Sequence, residues 1–221
     1  MIQKRKKMVL DDPDLYRCLS QDPSLAAAME RIGPCRLRGS DGKTPYQALF
    51  RAIVGQQLHG RAAEAILGRI CALGDGETPS PQDLATYTDE SLRACGLSAA
   101  KLLALRGLAE ATISGVVPDP VEAQNLSDDA LIARLVTLRG IGRWTVEMLL
   151  IFTLNRRDVL PVDDFAIRAG WQKLRGLDLP PKPAALRAEG LRFAPYRSAL
   201  AWYLWRLSEE GKAIKNVLTG D

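Results

Sequence analysis

Leu138-Arg139-Gly140-Ile141-Gly142-Arg143-Trp144-Thr145 is the stretch on which the fold turns. Upstream of it, from Asp128 to Thr137, apolar residues recur at helical spacing. Downstream a second helical pattern runs to about Leu154. Two glycines between two amphipathic helices make a tight turn. Gly140 and Gly142 permit positive φ and leave backbone N–H groups uncovered where the second helix begins. Those N–H groups, with the helix dipole, form an anion site that suits a phosphate. Taken alone, G-x-G favours a plain helix–turn–helix corner with a glycine cap. With no strand ahead of it, a dinucleotide site is not expected.

Outward from this corner the helical period continues. Ser24 to Arg31, Pro45 to Leu73 and Ser91 to Ser114 all carry apolar residues three and four apart. Thr44-Pro45, Ser80-Pro81, Asp89 and Ser127-Asp128-Asp129 each precede such a segment as start signals. Runs of alternating β-branched residues are missing. Val116-Val117 and Val159-Leu160 sit beside prolines and read as extended connectors. Gly74 to Gln82 reads as a surface loop between helices, and the proline-rich Gly176 to Pro183 cannot be helical. The expectation is an all-α protein, without solenoid repeats or low-complexity segments.

Composition bounds the chemistry. The chain has 221 residues, 47% hydrophobic and 25% charged, which is ordinary for a globular protein with a real core. The longest apolar run, Ala199 to Trp205, is too short to span a bilayer. The basic start at residues 1–7 is followed by Asp11, Asp12 and Asp14, not by the apolar stretch of a secretory signal. Cys18, Cys35, Cys71 and Cys95 are scattered without a C-x-x-C, which argues against disulfides, structural zinc and an iron–sulfur cluster. A reducing cytosol is the expected compartment. With one histidine, His59, a multi-histidine metal centre cannot be built, so acid–base chemistry falls to carboxylates. Between Arg134 and Arg206, thirteen Lys and Arg stand against six Asp and Glu. That local surplus suits a polyanion, although a solvated basic face would look the same.

A second segment carries such carboxylates. In Asp158-Val-Leu-Pro-Val-Asp-Asp-Phe-Ala-Ile-Arg168 a stiff connector leads into Asp163 and Asp164, which open a helix holding Phe165, Ile167 and Trp171. Asp163 makes a good helix cap and Asp164 a first-turn acid. Neighbouring side chains point differently, so one can cap while the other faces outward to react.

Taken together, the glycine hairpin, the following helix and the Pro-containing Asp loop resemble the helix–hairpin–helix (HhH-GPD) DNA glycosylase superfamily. Within it the chain is similar to the AlkA-type 3-methyladenine DNA glycosylase II family. Further matches are Phe50-Arg-Ala-Ile-Val-Gly-Gln-Gln-Leu58, Gly96-Leu-Ser98 with Lys101, and Pro195-Tyr-Arg-Ser198 leading to Trp205. The resemblance spans roughly Asp12 to Glu210. It implies two helical lobes with a cleft between them: residues 46–154 holding the hairpin, and 1–45 together with 155–221 holding the Asp loop. With motif-bearing helices beginning near Pro45, the N-terminal sheet domain of some relatives is not expected. The implied function is excision of alkylated purines, of the 3-methyladenine and 7-methylguanine type, from double-stranded DNA by base flipping.

The resemblance also implies roles residue by residue. Continuing the match without a gap from Trp144 through Asp158 puts the catalytic carboxylate at Asp164 and leaves Asp163 as the cap. Matching on the spacing from Pro161 would select Asp163 instead. Trp144, Met148, Phe165 and Trp205 would line the base pocket, where aromatic faces attract a cationic purine. Relatives often have tyrosine where Met148 and Phe165 stand. Gln56, Gln57 and Leu58 occupy the place of the wedge that fills the gap left by the flipped nucleotide. His59 stands where relatives often have serine, and is expected to pack or cap. Gly140, Gly142 and Arg143 would bind DNA at the hairpin. Backbone carbonyls of Val136, Leu138 and Ile141 would hold a monovalent cation there, with no other cofactor. Superfamily members that also cut the strand carry a lysine just after the hairpin. Trp144 fills that slot here, which implies no lyase activity. The endonuclease III branch's C-terminal cysteines are missing as well. A monomer acting on DNA, away from membranes, is expected. Two rivals remain: a non-catalytic helix–hairpin–helix DNA-binding module, and a glycosylase for deaminated or mismatched bases. The second would need hydrogen-bond readout that Met148 and Phe165 do not supply.

Overall fold

The computed structural model describes residues 12–37 and 42–210. The basic stretch at residues 1–7 lies outside them. In chain order the helices are α1 (Pro13–Leu19), α2 (Pro23–Ile32), α3 (Pro45–Gly55), α4 (Gly60–Cys71), α5 (Pro81–Thr86), α6 (Asp89–Ala94) and α7 (Ala99–Ile113). They continue with α8 (Pro120–Asn125), α9 (Asp128–Leu135), α10 (Arg143–Met148), α11 (Phe165–Arg175), α12 (Pro183–Gly190) and α13 (Arg197–Glu209). A π-helical turn, Leu149–Thr153, prolongs α10, and a 3₁₀ turn, Leu191–Phe193, follows α12. Among the described residues there is no strand, and no helix is long and apolar enough to cross a membrane. The fold is all-α.

The helices begin where small polar residues meet proline, because the first N–H groups of a helix need an outside acceptor and proline lacks one N–H to satisfy. Asp12, Asp22, Thr44, Ser80 and Asp119 accept first-turn N–H bonds ahead of Pro13, Pro23, Pro45, Pro81 and Pro120. At α3 the arrangement is reciprocal: Gln47 N–H donates to Thr44 Oγ1 at 3.2 Å, and Thr44 N–H donates to Gln47 Oε1 at 2.9 Å. Helix α6 is capped by Thr88, so the expected start signal Asp89 becomes a first-turn acid.

Two periodic stretches are interrupted. Pro45 to Leu73 divides at residues 56–59, where Gln56 turns extended and Gln57 takes φ +57°, and Ser91 to Ser114 divides ahead of the Ser98 cap. Periodicity is blind to such breaks because the apolar face resumes on the far side. Residues 116–117 and 159–160 are irregular connectors, residues 72–80 form a mostly exposed loop, and residues 176–182 join α11 to α12.

The chain divides into two compact units, Ser40–Leu154, and Met1–Gly39 with Asn155–Asp221. In the first, α3 is the hub, packing on α4, α7 and the π turn through buried Leu49, Phe50, Ile53 and Val54. In the second, α11 and α13 form the main pair, and α2 packs on both.

Asp22 ties this second unit together from a side chain only 4% exposed. Its Oδ1 accepts the Leu25 N–H that starts α2, and it pairs with Arg175 of α11 and with Arg192. Burial alone would raise this carboxyl, but the Arg175 hydrogen bond, the Leu25 N–H and the arginine charges outweigh it, and the net shift is downward from 3.8. A depressed folded-state value stabilises the fold above 3.8, and that contribution is lost as pH falls below it. Asp22→Asn should therefore flatten the acid limb of stability against pH. At neutral pH it should cost about 2 kcal/mol, readable in urea melts, by leaving Arg175 without its partner.

Candidate active site

The Asp loop is pinned before it reaches the helix. Arg197 grips Asp158 with two bonds, Nε to Oδ1 at 2.7 Å and Nη2 to Oδ2 at 2.9 Å. Buried Ser198 accepts the Val159 N–H at 3.0 Å and donates to Arg156 O at 2.7 Å. This gives the Pro195-Tyr-Arg-Ser198 motif its physical task, one that no local pattern announces. Leu160, Pro161 and Val162 are buried beyond it. The Asp164 N–H then donates back to Pro161 O at 3.1 Å, closing a turn that delivers Asp164, not Asp163, to the head of α11.

That corrects the expected division of labour. Asp164 is the helix cap: its Oδ1 accepts from Ala166 N–H at 2.7 Å and Ile167 N–H at 3.1 Å. Its other oxygen, Oδ2, accepts from Trp205 Nε1–H of α13 at 3.3 Å. Asp163 is exposed. The cap consumes only one oxygen of this carboxylate, and the other meets the indole. Three N–H donors converge on the carboxylate, at the positive end of an eleven-residue helix. Phe165 is 67% exposed, with the Arg168 guanidinium 5.8 Å from its ring centroid, and Trp205 is half-buried.

The hairpin belongs to Ser40–Leu154. Helix α9 ends at Leu135, and turn bonds run from Leu138 N–H to Leu135 O and from Ile141 N–H to Leu138 O, each 3.1 Å. Ile141 is buried and anchors the turn. Only Gly140 uses positive φ, +81°. Gly142 is extended at −93° and serves as N-cap of α10. A Cβ built on Gly142 would point into open space, so no neighbour covers this side of the turn. Arg143 bonds buried Glu147 through Nε at 3.0 Å. Trp144 is 48% exposed, which rules out core packing, and Met148 is half-buried.

Of the three wedge candidates the structure separates one from two. Gln56 turns its amide inward, Nε2 donating to Gly140 O at 2.7 Å, and so is committed within the protein. Gln57 is exposed in the left-handed region, and Leu58 is 38% exposed. His59 is exposed at the N-cap position of α4 without a side-chain cap bond, so it neither packs nor caps. Lys101, quoted in the sequence only as part of a motif, bonds two carbonyls at the end of α3, those of Val54 and Gln56. Among the described residues no group of three or more His, Cys, Asp or Glu is placed to hold a metal ion.

A helix–hairpin–helix turn with an open second glycine, together with an aspartate heading a helix beside an indole, defines a class. The chain belongs to the HhH-GPD superfamily of base excision DNA repair proteins, whose family model matches residues 50–195. Within that class it is similar to DNA-3-methyladenine glycosylase 1 of Schizosaccharomyces pombe, 48% identical over 182 residues, 81% of this chain and 79% of the relative. The solved S. pombe 3-methyladenine DNA glycosylase in complex with abasic DNA superposes with a TM-score of 0.81 at 43% identity, covering 90% of this chain and 98% of that one. The DNA-3-methyladenine glycosidase of Bacillus halodurans superposes with a TM-score of 0.83 at 32% identity, covering 97% and 99%.

Proposed function

We propose that this protein is a monofunctional DNA glycosylase that removes alkylated purines, of the 3-methyladenine and 7-methylguanine type, from duplex DNA. The observation that carries the reading is the Asp164 carboxylate, fixed through Oδ1 by the first turn of α11 and through Oδ2 by Trp205. The chemistry asks for little more. An alkylated purine is already cationic, so the bond from its nitrogen to C1′ breaks with the electron pair leaving on the base. The sugar becomes oxocarbenium-like, and a fixed carboxylate stabilises that charge. Water adds to C1′ and gives its proton to the same carboxylate. A base stacked in duplex DNA cannot be reached, so it is flipped out first.

The other residues fit supporting tasks. In the unit that holds Asp164, the exposed ring of Phe165 and the indole of Trp205 suit a cationic base; on the helix after the hairpin, Trp144 offers an exposed indole and Met148 an apolar side chain of the same use. The Gly140 and Gly142 N–H groups, with Arg143, suit a DNA phosphate. Helix α9 ends at this corner, and the Leu138 carbonyl has a lone pair left beyond its bond from Ile141. With Val136 and Ile141 that carbonyl would hold a monovalent cation, whose charge would favour the phosphate. Strand cleavage needs an amine nucleophile. Trp144 has none, and the Lys101 amine is engaged by Val54 O and Gln56 O.

Methylated duplex DNA incubated with the protein should release free methylpurines and leave abasic strands that break only after hot alkali. Borohydride should trap no covalent complex. Absence of base release would overturn the function, and cleavage without alkali its monofunctional character.

A further inference from the structure

The side chains of Lys101 and Gln56 both donate to backbone carbonyls within Ser40–Leu154. Lys101 sits in the first turn of α7, and its Nζ donates to Val54 O at 2.7 Å and Gln56 O at 2.8 Å. Those carbonyls lie where α3 ends and lacks further N–H partners, so an ammonium group there satisfies them and complements the helix dipole. Burial lowers the Lys101 pKa, which marks the amine as drawn into the protein. One turn along α7, Ala104 meets the hairpin: a Cβ built on Gly140 would lie 3.3 Å from the Ala104 Cβ. Gln56 closes the figure, its amide donating to Gly140 O at 2.7 Å. One face of α7, the loop after α3 and the glycine hairpin are thus joined pairwise, all inside Ser40–Leu154.

The consequence falls on the next two residues. With the Gln56 carbonyl held by Lys101 and its side chain by the hairpin, the backbone enters Gln57 at a set angle. Gln57 takes a left-handed conformation that a non-glycine side chain adopts only under constraint, φ +57°. Gln57 and Leu58 then project as the exposed tip.

We propose that Lys101 and Gln56 are positioning residues that hold the Gln57-Leu58 tip at a fixed distance from the hairpin, so that gripping a phosphate and inserting the tip into the duplex occur as one rigid-body step. The proposal rests on the glycosylase reading for its consequence in catalysis. Its geometry concerns DNA alone. Neither residue is catalytic. Both act through the tip, whose work is needed where an intact base pair must be opened and little needed where the lesion is already unpaired.

Lys101→Met and Gln56→Leu remove the donors while keeping most of the side-chain volume, and both positions are only half-buried, so two independent variants guard against a loss of folding in either. Single-turnover excision of 7-methylguanine is measured in a fully paired duplex and as a bulged nucleotide with no partner. Each variant should lose about 30-fold on the paired lesion and under about threefold on the bulge. Equal losses on both substrates would overturn the proposal, as would none on either. A second readout needs no chemistry: 2-aminopurine beside a stable abasic analogue brightens when the tip enters the stack. That rise should be lost in both variants while anisotropy still reports binding. If wild type releases no base yet shows the rise, and the variants lose it, the positioning proposal stands and the glycosylase reading falls. A rise that survives both substitutions overturns the positioning proposal whatever the activity.

Discussion

Asp164→Asn leaves a folded protein that still binds abasic DNA and excises methylpurines about 10²–10³-fold more slowly than wild type. The expected separation of binding from chemistry comes from the cap geometry. Asparagine caps a helix as well as aspartate does, so its carbonyl oxygen can keep the Ala166 and Ile167 N–H bonds. Its amide nitrogen then faces Trp205 Nε1, donor against donor, at the position where Oδ2 now accepts. The stability cost is therefore one hydrogen bond, about 1 kcal/mol, while the negative charge is lost outright. Asp164→Ala should add the loss of the cap, about another 1 kcal/mol, without slowing excision much further. Asp163→Asn, at an exposed position, should leave excision as it is. The decisive comparison is single-turnover base release by the three variants beside their urea melts. Retained activity in Asp164→Asn with lost activity in Asp163→Asn would reverse the assignment.

The contrast between the two aspartates shows where sequence reading stops. Helix starts were legible because they are local: a Ser, Thr or Asp before proline states its task within four residues, as at Thr44 and Ser80. The hairpin and the Asp loop were legible for the same reason. Which aspartate caps α11 was not, since it depends on the turn that the Asp164 N–H makes to Pro161 O and on a connector held by Arg197 and Ser198 some 39 positions away. Gln56 reads as one of three equivalent wedge residues until its partner, Gly140, is seen 84 positions on. Both hairpin glycines permit positive φ. Gly140 uses it in the turn, at +81°, whereas Gly142 stays extended at −93°. The grip of Arg197 and Ser198 on the connector and the bond from Gln56 to Gly140 are contacts between distant segments, to which periodicity and spacing are blind.

Gly170 is the position where such a contact decides the site's survival. It lies in the middle of α11, where intrinsic propensity favours alanine over glycine by about 1 kcal/mol. Packing opposes that preference. A Cβ there would lie 2.0 Å from Leu204 O, 2.6 Å from Leu204 C and 2.9 Å from Leu204 Cα, all backbone atoms of α13 that no rotamer change can move. Gly170→Ala therefore forces apart the pair of helices that dominates this unit and loosens the burial of Ile167 and Trp171 along α11 and of Leu204 and Leu207 along α13. The clash outweighs the propensity gain, and the net loss should be about 3 kcal/mol, a fall in Tm of about 6–12 °C for a chain of this length. Function should fail alongside stability. Trp205 follows Leu204 directly, so a shift of α13 lengthens the 3.3 Å bond from its Nε1 to Asp164 Oδ2 and frees the carboxylate to turn. Excision assayed well below the variant's Tm should drop by about tenfold or more, with abasic-DNA binding less affected. An unchanged melting temperature would mean that α11 and α13 can part without cost. An unchanged excision rate in a destabilised variant would mean that Trp205 has no part in orienting the carboxylate.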